Sequence, residues 1–231
     1  MSRREARQLA RDYFRNLELF EDSLVLPPPK PIVRELNVLP GAFDPLPKDL
    51  DSFHHEIGDC TRCSLGHTRT RFVFGTGCPQ ARIVFIGEAP GRDEDLQGVP
   101  FVGRAGHLLD QMLANVGLDR RQVYICNVLK CRPPNNRDPE PQEVETCRPY
   151  LLTQLSLLSP SILVCLGRHA ASALLGTQAP MKELRGRILP WHGMQVLVTY
   201  HPAYYLRNQS QLILGEQDFQ LLRRLYDELP A

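Results

Sequence analysis

The sequence predicts an α/β fold, a three-layer α/β/α sandwich around a central, mainly parallel sheet of about four strands. Three observations carry that reading. Four short runs rich in apolar and β-branched residues, RIVFIG (82–87), QVYICNV (122–128), SILVCLG (161–167) and QVLVTY (195–200), have the length and composition of strands. Helical patterns lie between them, notably AGHLLDQMLANVG (105–117) and GRHAASALLG (167–176). The strand runs are almost continuously apolar rather than alternating, which is the pattern of a parallel sheet covered on both faces. Ligands of such sheets bind beyond the carboxyl ends of the strands.

The elements follow in order. Apolar positions Leu9, Tyr13, Phe14, Leu17 and Phe20 predict an amphipathic helix over residues 3–20. Arg3, Arg4, Arg7 and Arg11 crowd its start, where the helix dipole disfavours cations, so fraying is expected there. Residues 26–47, LPPPKPIVRELNVLPGAFDPLP, hold seven of the 20 prolines and show no period, so they read as an extended linker. The chain thus divides into an N-terminal helix and linker (1–50) and a folded domain (51–231). No internal repeat is visible.

Composition excludes some classes. No apolar run approaches the ~18–20 residues of a membrane span, and the charged N-terminus lacks the apolar stretch of a secretory signal; a cytoplasmic protein is expected. The net charge of +1 does not announce a nucleic-acid binder. It averages a net −3 over residues 1–60 and a net +4 over residues 61–231, where 17 of 19 basic residues are Arg. Guanidinium presents a planar bidentate fork suited to phosphate, although many metabolic enzymes carry a similar excess.

Seven cysteines is an odd number without a secretion signal, which argues against a disulfide framework. Cys60 and Cys63 form C-T-R-C, and Cys131 and Cys147 form C-x15-C across a proline-rich loop, RPPNNRDPEP (132–141). Four such cysteines suit zinc or an iron–sulfur cluster, and the long second spacing favours iron–sulfur. The competing reading is four unrelated buried cysteines, one pair spaced by chance. Cys126 and Cys165 lie inside strand runs and are simplest as core packing.

The strand ends carry chemistry. After the first comes Gly87-Glu88-Ala89-Pro90-Gly91, whose small residues let backbone approach a ligand. Neither dinucleotide nor P-loop phosphate motif is present. The second ends near Asn127, whose amide both donates and accepts. The fourth runs into His201-Pro202-Ala203-Tyr204-Tyr205-Leu206-Arg207. Phe101 sits in a Gly-bounded loop as a stacking surface.

GEAPGRDEDLQGVPFVGRAG, YICNVLKCRPPNNRDPEPQEVETCRPYL and HPAYYLR, together with the four spaced cysteines, resemble the family-4 uracil-DNA glycosylases, the iron–sulfur branch of their superfamily, over residues 53–228. The resemblance implies a DNA repair enzyme of base excision repair that flips uracil out of DNA, double- or single-stranded, and hydrolyses its N-glycosidic bond to leave an abasic site. It implies a [4Fe-4S] cluster on Cys60, Cys63, Cys131 and Cys147, structural rather than redox-active. Phe101 would stack on the base, and Asn127 would read its edge if neighbours fix the amide's orientation. His201 would donate to O2 as negative charge develops. Ala89 and Pro90 would line the pocket, with the Ala89 N–H as a donor. Glu88 would activate water and balance the sugar cation, although in the best-known branch the acid is an Asp one residue later, where this chain has Ala89.

Leu206 or Arg207 would enter the duplex, with Tyr204 and Tyr205 as alternatives, and Arg132 and Arg137 would contact phosphate. A branch that traps DNA covalently carries a basic insertion before its HP motif; VLVTYHPAYYLR has none, which favours simple hydrolysis. After residue 60 the only lysines are Lys130 and Lys182, so a Schiff-base lyase step is not expected. A monomer is expected, with the N-terminal extension available to a replication or repair partner. The other readings are a non-catalytic iron–sulfur nucleic-acid-binding protein of this fold, and an iron–sulfur electron carrier or nucleotide-binding enzyme.

Overall fold

The computed structural model describes residues 38–230, so the helix expected over 3–20 and the first part of the proline-rich segment lie outside the described residues. The sheet has six strands, not about four: β1 (Thr76–Gly77), β2 (Ile83–Gly87), β3 (Tyr124–Asn127), β4 (Ile162–Leu166), β5 (Ile188–Trp191) and β6 (Met194–Thr199). Their order is β1-β3-β2-β4-β6-β5. The four expected strands form its parallel centre, and β1 and β5 add antiparallel edges. The edges escape a pattern search for physical reasons. β1 has only two residues, and β5 is short, half-exposed and contains Pro190, which an edge strand tolerates.

Alternate residues of the central strands feed two separate cores. Val84, Ile86, Cys126, Leu163, Cys165, Val196 and Val198 face one side, packing with α1 (Leu50–Ile57) and the 18-residue α5 (Pro141–Leu158). Phe85, Ile125, Val164 and Leu197 face the other, with α4 (Arg104–Asn115), α8 (Pro202–Arg207) and α9 (Leu212–Asp227). This is the three-layer α/β/α arrangement. Shorter helices are α2 (Leu65–Thr68), α3 (Arg92–Gln97), α6 (Arg168–Leu175) and α7 (Met181–Leu184).

The proline-rich segment is not linker throughout. From residue 38 onward it packs on the domain: Leu39 is 2% exposed within the core and its N–H donates to Ser156 Oγ at 3.0 Å. The Phe43 N–H donates to Thr153 Oγ1 at 2.9 Å, and its ring meets Phe53 and Tyr150 edge-on. Isolated apolar residues between prolines carry no period, yet two of them suffice to anchor the strap. No helix among the described residues is long and apolar enough to cross a membrane.

Candidate active site

A cleft of about 450 Å³ opens at the carboxyl ends of β2, β3 and β6. β3 lies on one side of β2, while β4 and then β6 lie on the other, so the strand order reverses there, the switch point at which such sheets bind ligands. Glu88, Ala89, Pro90, Phe101, Asn127, His201, Arg137 and Arg207 all line it. Leu206 is half-buried and Arg132 donates through Nε to Asn136 Oδ1 at 2.8 Å; neither side chain is on the wall.

Asn127, 1% exposed, is the most telling residue. Neither its amide nitrogen nor its amide oxygen has a hydrogen-bond partner. Burying both without compensation costs on the order of 1–3 kcal/mol each, a cost that a ligand removes. Among the described residues, no neighbour fixes the amide's orientation by a hydrogen bond. A side chain at Gly87 would collide with Asn127 Oδ1 and with the Phe101 ring, so only glycine leaves this space. Lys130, fully buried, donates from Nζ to the Asn127 carbonyl at 2.8 Å and to Gln154 Oε1, tying the end of β3 to α5.

Phe101 is held in the left-handed region at φ 55°, which a bulky residue adopts only under constraint. Arg120 supplies it, with Nη1 2.9 Å from the Phe101 carbonyl and Nη2 on that of Pro100. Glu94 Oε1 accepts from the N–H groups of Val102 and Gly103, both at 2.9 Å. The ring stacks on the His201 imidazole, centroids 5.4 Å apart.

His201 caps α8, its Nδ1 accepting from the Ala203 N–H at 3.1 Å. A nitrogen that accepts is unprotonated, so in the neutral ring Nε2 carries the hydrogen. Burial, aided by Arg207, pushes the imidazole down to about 4, so it stays neutral at physiological pH.

Glu88 follows β2 directly, and the Leu129 N–H fixes its carbonyl at 3.0 Å. Burial raises its carboxyl above the ordinary range, and Asp138 adds to this, while His169 and Arg168 oppose it. His169 Nε2 stands 3.8 Å from Glu88 Oε2 and 3.4 Å from Asp138 Oδ2. Sequence reading missed His169, Asp138, Glu94 and Arg120, because each acts on a residue remote in the chain or through a loop. Lys130 was noted only as a lysine.

The arginines are engaged in different ways. Arg137 pairs with Glu143 at 2.6 and 2.9 Å and with Glu140 at 3.1 Å, which orders the loop before α5. Arg207 is exposed at the cleft mouth. Among the wedge alternatives, Tyr205 is 1% exposed with its hydroxyl 3.1 Å from Thr199 Oγ1, so it belongs to the core. Tyr204 stacks on Tyr200 at 4.3 Å.

The four spaced cysteines converge on one side of the sheet. Cys60 and Cys63 lie between α1 and α2, Cys131 follows β3, and Cys147 is on α5. Cys60 Sγ is 3.1 Å from the Tyr150 hydroxyl, and Arg69 Nη1 reaches Cys131 Sγ at 3.4 Å. Arg69 also binds the Cys60 and Gly58 carbonyls. Burial pushes the Cys131 thiol up to about 11 and the Cys147 thiol up to about 12. Among the described residues, no three cysteine sulfurs come within 4.8 Å of one another.

The family description "Uracil DNA glycosylase superfamily" matches residues 74–229. A Type-4 uracil-DNA glycosylase of Archaeoglobus fulgidus is 46% identical over 186 residues, covering 77% of this chain and 94% of its own. One of Thermotoga maritima is 48% identical, covering 67% and 81%. One of Sulfurisphaera tokodaii is 43% identical, covering 76% and 84%.

Proposed function

The chain belongs to the uracil DNA glycosylase superfamily, and on that premise we propose that it excises uracil from DNA by hydrolysing the N-glycosidic bond, in base excision repair. The observation that carries the reading is the buried Asn127 amide with no partner at either atom, at the floor of a cleft walled by Phe101, Glu88 and His201. A flipped uracil supplies the missing partners: N3–H donates to Oδ1, and O4 accepts from Nδ2.

A duplex releases a base only at a cost of a few kcal/mol. Stacking on Phe101, worth roughly 1–3 kcal/mol, offsets part of it. As the C1′–N1 bond breaks, its electron pair moves into the uracil ring and negative charge gathers on O2. The Nε2–H of neutral His201 donates there. A neutral donor suits this role, because its hydrogen bond strengthens as the charge develops and no proton must be lost first. The sugar becomes an oxocarbenium ion, which the Glu88 carboxylate stabilises. Water attacks C1′ and gives its proton to Glu88, leaving an abasic site and uracil. Arg207 at the mouth meets the DNA backbone or the gap left by the base, and Arg132 and Arg137 stiffen the adjoining loop.

The cysteine set fits a [4Fe-4S] cluster. Four thiols from three segments are gathered without disulfides, and Arg62, Arg69 and Lys130 stand ready to balance thiolate charge. When bound, the cluster supplies a covalent cross-link between these segments. We read the protein as a cytoplasmic monomer acting on uracil-containing DNA.

A uracil-containing oligonucleotide, incubated with the cluster-loaded protein and then treated with alkali, is expected to break at the uracil, while a thymine control stays intact. An intact uracil strand with a filled cluster would favour the non-catalytic DNA-binding reading.

A further inference from the structure

We propose that His169, braced by Asp138, is a positioning residue that holds the Glu88 carboxylate in place for the attacking water; this rests on the hydrolytic role proposed for Glu88. His169 is on the first turn of α6, beyond the end of β4, in a surface depression with Pro139, Val144 and Arg168 that adjoins Glu88 and Asp138 of the cleft wall. Its Nε2 faces both carboxylates, 3.8 Å from Glu88 Oε2 and 3.4 Å from Asp138 Oδ2, and the three ligand atoms lie within 4.8 Å of one another. The imidazole and Glu88 side chains are 28% and 31% exposed, so the contact is sheltered, whereas Asp138 reaches in from solvent.

The arrangement has a logic that Glu88 alone lacks. A carboxylate on a loop can turn about its side-chain torsions, and an unheld base spends little time aimed at the anomeric carbon. At 3.8 Å the imidazole does not hydrogen-bond to Glu88; it restricts that rotation by lying beside the carboxylate and, in its protonated form, by its charge. Asp138 in turn orients the imidazole, as a base-orienting group does in other hydrolytic sites. Asp138 belongs to the loop between Cys131 and Cys147, so the ordering of that loop reaches the proposed base through two side chains. The other charged groups near Glu88 are Arg168, whose Nη2 is 3.3 Å from His169 Nε2 and 3.8 Å from Asp138, and the cleft residues Glu94, Arg137 and Arg207, of which Arg137 is paired with Glu143. Glu94 is turned to backbone amides, and Arg207 lies on the His201 side.

The test compares His169→Ala, His169→Gln, Glu88→Gln and the double variant His169→Ala/Glu88→Gln, each with iron content and melting temperature recorded. His169→Ala is expected to lower kcat roughly tenfold with little change in KM, and to move the acid limb of the kcat–pH profile to higher pH, since a group that favours the Glu88 anion is gone. His169→Gln should restore part of kcat. In the Glu88→Gln background the His169 change should cost almost nothing more, because it acts through the group already removed. An unchanged kcat and acid limb in His169→Ala, or an additive loss in the double variant, would overturn the proposal. Should His169→Ala fail to hold its cluster, Asp138→Asn takes its place: kcat should fall in the same direction, whereas the acid limb should move to lower pH, because the Asp138 charge raises the Glu88 carboxyl. Wild-type kcat in Glu88→Gln would instead sink the role of Glu88 itself, a distinct outcome.

Discussion

At the scale of single residues, the cleft carries two local costs. Asn127 buries two unpartnered amide atoms, and Phe101 holds a left-handed backbone that its neighbours enforce. Replacing Asn127 by Ala should therefore lower kcat/KM on uracil DNA by about a hundredfold or more, the range expected for losing a bidentate polar contact whose partners are left unpaired. The melting temperature should stay the same or rise, because the orphaned polar atoms go with it. A marked fall in melting temperature with activity retained would make Asn127 structural. A second expectation concerns pH. Glu88 is raised and, in the proposed role, acts deprotonated, so kcat should rise with pH through a value above the ordinary glutamate range. His201, held down to about 4, does not set that limb. In His201→Gln the limb should stay where it is while kcat falls; a limb that disappears would assign it to His201 instead. Glu88, Asn127 and His201 were legible in the sequence because strand ends advertise polar residues after apolar runs. His169 and Asp138 were not, since their meaning lies in a contact between residues 31 apart in sequence.

Among the elements, the four central strands were readable because burial on both faces makes them continuous apolar runs. The same burial hid α5: ten of its 18 residues are buried, including Thr153, Gln154 and Ser156, so its apolar positions do not trace one stripe. Its start is fixed by polar contacts instead. The Glu140 N–H donates to Glu143 Oε2 at 2.8 Å, and the Arg137 guanidinium grips the same carboxylate and holds it below its usual range. A carboxyl lowered on folding stabilises fully above its ordinary value and loses that contribution as pH falls through the lowered one. Glu143→Gln should thus destabilise by about 1–2 kcal/mol at neutral pH, the scale of a lost cap with its ion pair. The gap in melting temperature from wild type should close as the pH is taken below that of a free glutamate. A gap that persists unchanged in acid would show that the charge is not what matters. Since the same loop bears Asn136 and Asp138 on the cleft wall, KM should rise with the loss.

Across the whole molecule, the two cores on opposite faces of the sheet are not equally self-sufficient. The face with α4 and α9 is built from aromatic and aliphatic packing, Phe85 against Phe219 and Leu109, Leu113 and Leu222 around them. The opposite face includes the four cysteines, α1 and the strap at Leu39, and its segments at residues 60–63, 131 and 147 converge where buried thiols and a buried lysine meet. Buried charge without compensation is costly, so under the proposed cluster reading this face would depend on the group that these thiolates hold. Replacing Cys131 by Ala should lower iron content and solubility first and activity as a consequence. Hydrogen exchange should rise in α1, in the loop from Cys131 to Pro141 and in the first turns of α5, while α4 and α9 keep their protection, because local stability follows local packing. The cleft stands between the two: its Phe101 and His201 wall rests on the packed face, and its Asp138 wall on the loop between Cys131 and Cys147. Activity in the Cys131 variant should consequently fail through kcat and KM together, as the Glu88 side of the cleft loosens. Uniform loss of protection over both faces would show instead that the domain unfolds as one unit, and undiminished iron would remove Cys131 from the ligand set.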